Sequence, residues 1–163
     1  MNKIILAFCL VVMGLPACAT AKKKKQSANE VVSVTMHRTI CFGRCPDYTI
    51  EMNKDGNTIY TAKRFNSDTG IFKKNIGSKK VAEIFSQFAT YRVDTCAEMY
   101  DNRIPDLPGL NFTIKYKNRT QKIFNANFGP YFLKEIAAAI DAAGKKADAA
   151  DKTWKKTGMP KLD

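Results

Sequence analysis

Cys41 and Cys45 are the side chains best suited to chemistry in this chain, four positions apart in the run Thr39-Ile40-Cys41-Phe42-Gly43-Arg44-Cys45-Pro46-Asp47-Tyr48. Two thiols around a glycine have three uses. The first is a structural disulfide, because Gly43 lets the backbone reverse and bring the two α-carbons into bonding range. So short a closed loop would contribute only about 2 kcal/mol, and its main effect would be to fix a tight turn. The second is a redox dithiol or a Cu(I) site, with two soft sulfur ligands and an imidazole from His37, the only histidine. The third is zinc held by Cys41, Cys45, Cys96 and His37, four ligands of the right type at no recognised spacing. An oxidising compartment favours the disulfide and leaves Cys96 as a free thiol.

Other catalytic constellations are missing from the sequence. A Ser-His-Asp arrangement would have to use His37, and no nucleophile elbow accompanies it. Asp94, Glu98, Asp101 and Asp106 fall in one irregular stretch and read as solvated loop acids before a paired-carboxylate site. No glycine loop of the phosphate-cradling type is present. The sequence therefore assigns no catalytic residue and no cofactor.

The compartment is written at the start of the chain. Lys3 is followed by an apolar run from Ile4 to Val12, too short to span a bilayer as a mature helix. Leu15-Pro16-Ala17-Cys18 resembles the lipobox that precedes lipid attachment, which makes Cys18 the acylated residue. Ala17-Cys18-Ala19 and Ala19-Thr20-Ala21 also fit ordinary secretory cleavage, and on that alternative the mature protein is free. The expected organisation is a lipoprotein signal peptide over 1–17, a lipidated cysteine and basic flexible tether over 18–30, one domain over 31–156 and a disordered tail over 157–163. Its expected location is the bacterial cell envelope, lipid-anchored, on the outer membrane facing the periplasm.

Charge is the next constraint. The 163 residues carry a formal charge of +12. Five of the 27 basic residues and one of the 15 acidic residues precede Val31, so +8 remains on the domain. Lys22 to Lys25 follow the lipid site directly and would be drawn to anionic headgroups, at about 1 kcal/mol per lysine. They serve equally as a solvated spacer. Lys73, Lys74, Lys79 and Lys80 could meet an anionic envelope polymer or lipid, with a solvated face as the plainer reading. Export excludes nucleic acid as the natural partner.

Periodicity sets the fold. Val32, Val34 and Met36 share one face of a first strand; Tyr48, Ile50 and Met52 do so in a second. Asp55-Gly56 marks a hairpin, with return strand Asn57 to Phe65 and a further strand from Gly70 to Ile76. Val81, Ile84, Phe85 and Phe88 form the apolar stripe of a helix that Ser78 would cap. Leu110, Phe112, Ile114 and Tyr116 alternate again, and Thr120 to Ala126 returns beside them. Gly129-Pro130 opens a second helix that Gly144 ends or kinks. Residues 145–155 read as helical, with Asp148–Lys152 and Asp151–Lys155 pairs and Trp154 as a core anchor. The expected class is α+β: an antiparallel sheet of about five to six strands with two to three helices packed on one face.

The Cys-Phe-Gly-Arg-Cys-Pro-Asp-Tyr string resembles the signature of an uncharacterised domain family of bacterial envelope lipoproteins. The Asp55-Gly56 hairpin, Asp106-Leu107-Pro108, Ile140-Asp141 and Trp154 resemble later features of the same family. The resemblance spans roughly 31–155, implies fold and location, and carries no activity. Cys-x-x-x-Cys-Pro also resembles the motif of thioredoxin-like copper chaperones, but there a helix follows, whereas Tyr48 to Met52 reads as a strand. The function implied is a non-catalytic binding or structural domain, with a thiol-based copper or redox protein as the alternative.

Overall fold

Alternating apolar residues build the centre of the chain's fold, one eight-stranded sheet. The computed structural model describes residues 29–101, 104 and 107–161. The strands are β1 (Val31–Arg38), β2 (Tyr48–Asn53), β3 (Asn57–Ala62), β4 (Gly70–Asn75), β5 (Met99–Tyr100), β6 (Leu110–Tyr116), β7 (Thr120–Asn125) and β8 (Lys155–Gly158). Their order across the sheet is β5-β7-β6-β1-β2-β3-β4-β8. The β5/β7 pair is parallel and every other pair is antiparallel.

This corrects the expected architecture. The sheet is mixed and has eight strands in place of five to six, and the described residues hold two α-helices, α1 (Ser78–Thr90) and α2 (Phe132–Gly144). The two extra strands have no pattern to read. β5 is only two residues long. β8 is Lys-Lys-Thr-Gly, an edge strand held by backbone pairing to β4, where lysines block further pairing. β8 also takes in residues 157 and 158, which the sequence pattern assigns to the tail.

The expected helix over 145–155 does not form. Lys145 leaves α2 in extended geometry. Asp148 Oδ1 then accepts hydrogen bonds from the Ala150 and Asp151 amides, and Asp151 Oδ1 accepts one from Thr153. These local turns take the aspartates that would otherwise pair with Lys152 and Lys155 along a helix. Trp154 still reaches the core, edge-on to Tyr60 at 6.2 Å between ring centroids.

On the core face, the buried residues of β2 are Tyr48, Ile50 and Met52 and those of β6 are Leu110, Phe112, Ile114 and Tyr116. In β1 the register shifts between Val31 and Ser33, so Val31 is buried with Val34 and Met36 while the expected Val32 is only half-buried. An extra residue in a bulge moves the pattern by one. Both helices add their stripes to the same cluster, Val81, Ile84, Phe85 and Phe88 from α1 and Leu133, Ile136, Ala137 and Ile140 from α2. Gly77, and not Ser78, occupies the α1 N-cap position, with no side-chain cap. Gly144 lets α2 end against β2: a Cβ there would lie 2.6 Å from Ile50 Cγ2.

The two ends of the sheet differ. One end carries the turns at 54–56, 76–77 and 117–119, and there the chain enters β1. At the other, the β1–β2, β3–β4 and β7–α2 loops meet the segment leading into β6. We call these the hairpin end and the disulfide end.

Candidate functional site

The disulfide end is a set of loops fastened to one another. Cys41 and Cys45 are bonded, with α-carbons 5.6 Å apart. The Asp47 amide donates to the Arg64 carbonyl and the Lys63 amide donates to the Asp47 carbonyl, both at 2.9 Å. Asn66 Nδ2 donates to the same Asp47 carbonyl at 2.7 Å. On the other side, the Thr39 amide donates to the Gly109 carbonyl at 3.0 Å, and the Gly109 amide returns a bond to Thr39 Oγ1 at 2.8 Å. Asn127 Nδ2 donates to the Pro108 carbonyl. Loops so satisfied do not need water to order them.

Beneath them lies a charged clamp. Arg38 ends β1 on the core face, and Tyr48 opposite it begins β2. Both reach Asp141 of α2: Arg38 Nε and Nη2 donate to Oδ2 at 2.9 and 2.6 Å, and Tyr48 donates from its hydroxyl to Oδ1 at 2.7 Å. Lys145 Nζ sits 4.7 Å from the Tyr48 ring centroid. Burial would lower the Arg38 pKa, but the hydrogen bond and charge of Asp141 outweigh it and raise the net value. Burial, and then Asp141, push the Tyr48 hydroxyl well above the usual tyrosine range. The clamp ties α2 to the sheet with a fixed guanidinium.

An open pocket of about 210 Å³ adjoins the clamp, lined by Arg38, Thr39, Cys45, Pro46, Pro108, Gly109, Leu110 and Asn127. The loops of this end also carry exposed apolar side chains: Ile40, Phe42, Phe65, Ile104, Phe128 and Tyr131. Phe42, on the disulfide loop, is 87 % exposed. Arg44 lies 6.0 Å from the Phe65 ring.

The residues singled out from sequence do not converge on a metal. His37 Nε2 is 2.9 Å from Asp47 Oδ1, on the sheet face opposite the core. Cys96 is elsewhere, with its carbonyl accepting from Gln121 Nε2 at the start of β7. Burial pushes the Cys96 thiol up, away from reactive thiolate. Among the described residues no three His, Cys, Asp or Glu side chains group as metal ligands. Asp94 bonds Asn29 and Arg92. Lys74 donates to Thr153 and covers Trp154, and Lys80 lies 3.6 Å from Glu83, so neither is an idle surface charge. Cys18, Lys22 to Lys25 and Asp106 lie outside the described residues. No helix among the described residues is long and apolar enough to cross a membrane.

The profile of a domain of unknown function, DUF6438, matches residues 32–144. The chain belongs to the DUF6438 family. No curated protein and no solved structure matches it. The DUF6438 span runs from β1 to the last residue of α2, so it holds the disulfide, Asp47, Tyr48, Arg38 and Asp141, while Trp154 and β8 lie beyond it. Arg38 and Asp141 had no signal in spacing, being 103 residues apart. The Asp47-Tyr48 pair after the cysteines does two jobs: Asp47 joins two loops and His37, and Tyr48 joins the sheet to α2.

Proposed function

We propose that this chain is a non-catalytic binding domain of the bacterial envelope, anchored by a lipid on Cys18 and presenting its disulfide end to a partner. One observation carries the reading. Exposed Ile40, Phe42, Phe65, Ile104, Phe128 and Tyr131 gather at the end of the sheet away from the one where the chain enters β1. Clustered apolar side chains in water mark a surface that something else covers. A tether over 18–30 would span at most about 45 Å and joins the domain at the hairpin end, which leaves the disulfide end free to face away from the bilayer. Lys22 to Lys25 would rest at anionic headgroups. The lipobox supports the anchor, and the membership in a family of unknown function is compatible with a domain without catalysis.

Two variants test this. In the native cell, Cys18→Ala is expected to leave the membrane fraction; retention there contradicts the anchor. The wild-type chain is expected to run as a complex larger than the chain alone on non-denaturing electrophoresis of a native-cell extract; Phe42→Ser combined with Ile40→Ser is expected to abolish it, whereas Asn118→Ser at the hairpin end keeps it. Equal behaviour of the two variants contradicts the binding end.

A further inference from the structure

We propose that the pocket beside the disulfide loop binds a carboxylate carrying an adjacent apolar group, the shared chemistry of a peptide C-terminus and a free apolar acid, with Arg38 as the residue that receives it. This rests on the reading of the disulfide end as a binding surface and names the chemistry of its ligand.

Arg38 supplies the first ground. A guanidinium has five N–H donors. Asp141 Oδ2 takes one from Nε and one from Nη2. Arg38 also lies beside the Tyr48 hydroxyl, and it lines the pocket with about a third of its side chain exposed. The exposed part of a planar guanidinium is suited to a carboxylate. The Asp141 bonds hold it still, so little rotamer freedom is lost on binding.

The walls supply the second. Cys45, Pro46, Pro108 and Leu110 offer apolar surface, and Thr39 and Asn127 add polar side chains. The volume of about 210 Å³ is below the ~300 Å³ at which pockets begin to take drug-sized molecules. It suits one side chain and its carboxylate.

Local charge supplies the third. Asp141 is shared between Arg38 and Tyr48, and Lys145 lies over the Tyr48 ring. The Arg38 guanidinium and, over the Tyr48 ring, the Lys145 ammonium make the neighbourhood of the pocket favourable to an anion. Asp47, the next acid along the chain, pairs with His37 on the opposite sheet face.

The test is an NMR titration of the purified full chain with N-acetyl-phenylalanine and, separately, its C-terminal amide. The acid is expected to shift the Arg38 Nε–H and Gly109 amide resonances saturably, and the amide to bind about tenfold or more weakly. Equal binding of acid and amide, or shifts that never saturate, would overturn the proposal. Arg38→Gln is expected to abolish binding, but it also removes the clamp. Asn127→Asp avoids that difficulty. Residue 127 is exposed, its φ of 72° tolerates aspartate, and the change places a negative charge in the pocket wall without changing shape. It also removes the Nδ2 donor to the Pro108 carbonyl, so a small fall in melting temperature is expected, while the acid is weakened about tenfold and the amide is not. An unchanged affinity for the acid would overturn the site. 3-Phenylpropanoate separates the sources: binding equal to N-acetyl-phenylalanine assigns a free acid, and weaker binding assigns a peptide terminus. Failure of all these probes, with the Phe42→Ser, Ile40→Ser complex still lost, removes the pocket and leaves the binding end standing.

Discussion

The hairpin end and the disulfide end close the same sheet but present different surfaces. At the hairpin end, asparagine side chains satisfy the turns, and the turns at 54–56 and 76–77 are joined by the Ile76 amide donating to the Gly56 carbonyl and by Asn75 Nδ2 donating to the Asp55 carbonyl. Asn53 Oδ1 accepts from the Asp55 and Asn57 amides, and Asn75 Oδ1 accepts from Gly77. Gly56 adopts φ 90°, and a Cβ there would lie 2.6 Å from the Gly77 carbonyl carbon. None of the large exposed hydrophobic residues lies in those turns. At the disulfide end, bonds run between loops distant in sequence, and they support aromatic side chains in water. The ends differ in what they present: the disulfide end carries the covalent bridge, the pocket and exposed aromatic side chains that the hairpin turns lack.

Asp141→Ala should break the comparison hardest. It leaves the Arg38 charge and the Tyr48 hydroxyl without their partner beneath the pocket. A fully buried pair would lose 3–5 kcal/mol; with Arg38 partly exposed, about 2–3 kcal/mol is expected from urea unfolding. A loss below 0.5 kcal/mol would mean the clamp does not secure α2.

Gly56→Ala tests the hairpin end. Positive φ and the approach to Gly77 should together cost about 2 kcal/mol, with no effect on binding at the far end. Replacing Cys41 and Cys45 by serine should lower stability by a similar or smaller amount, about 1–2 kcal/mol, because the closed loop is short. Its larger effect should be on binding, since the Phe42 position is released. Unchanged binding in the double serine variant would separate the bridge from recognition.

A smaller effect is tied to pH. The folded-state pKa of Tyr48 is raised, so its contribution is present below the unfolded value of about 10 and is lost as pH rises through the folded value. Tyr60 is raised by burial in the same direction. Tyr48→Phe should therefore flatten the fall of the unfolding free energy above about pH 10 without abolishing it. An identical alkaline profile would show that Tyr48 ionises freely in the fold. Phe42→Ser should change stability least, within about 0.5 kcal/mol, because its side chain is 87 % exposed.

The sequence made the central sheet legible because its strands have one wet face and one dry face. Tyr48, Ile50 and Met52, and Leu110 through Tyr116, show their burial in their spacing. β8 could not be read that way, since an edge strand of Lys-Lys-Thr-Gly buries no stripe. The helical appearance of 145–155 rested on charge spacing, which Asx turns at Asp148 and Asp151 override. The cysteine motif marked the end of the molecule where the disulfide and the pocket lie. Its relation to Arg38, Asp141 and Asn127 depends on contacts between elements far apart in the chain, which local patterns do not encode.

Native-state hydrogen exchange tests the contrast between the ends most directly. The Thr39, Asp47, Lys63 and Gly109 amides all donate across loops at the disulfide end. They should exchange as slowly as amides inside β1 and β2, and reduction of the Cys41–Cys45 bridge should speed Asp47 and Lys63 most. Exchange of all four at the rate of an open loop, in the oxidised protein, would contradict a preformed recognition end.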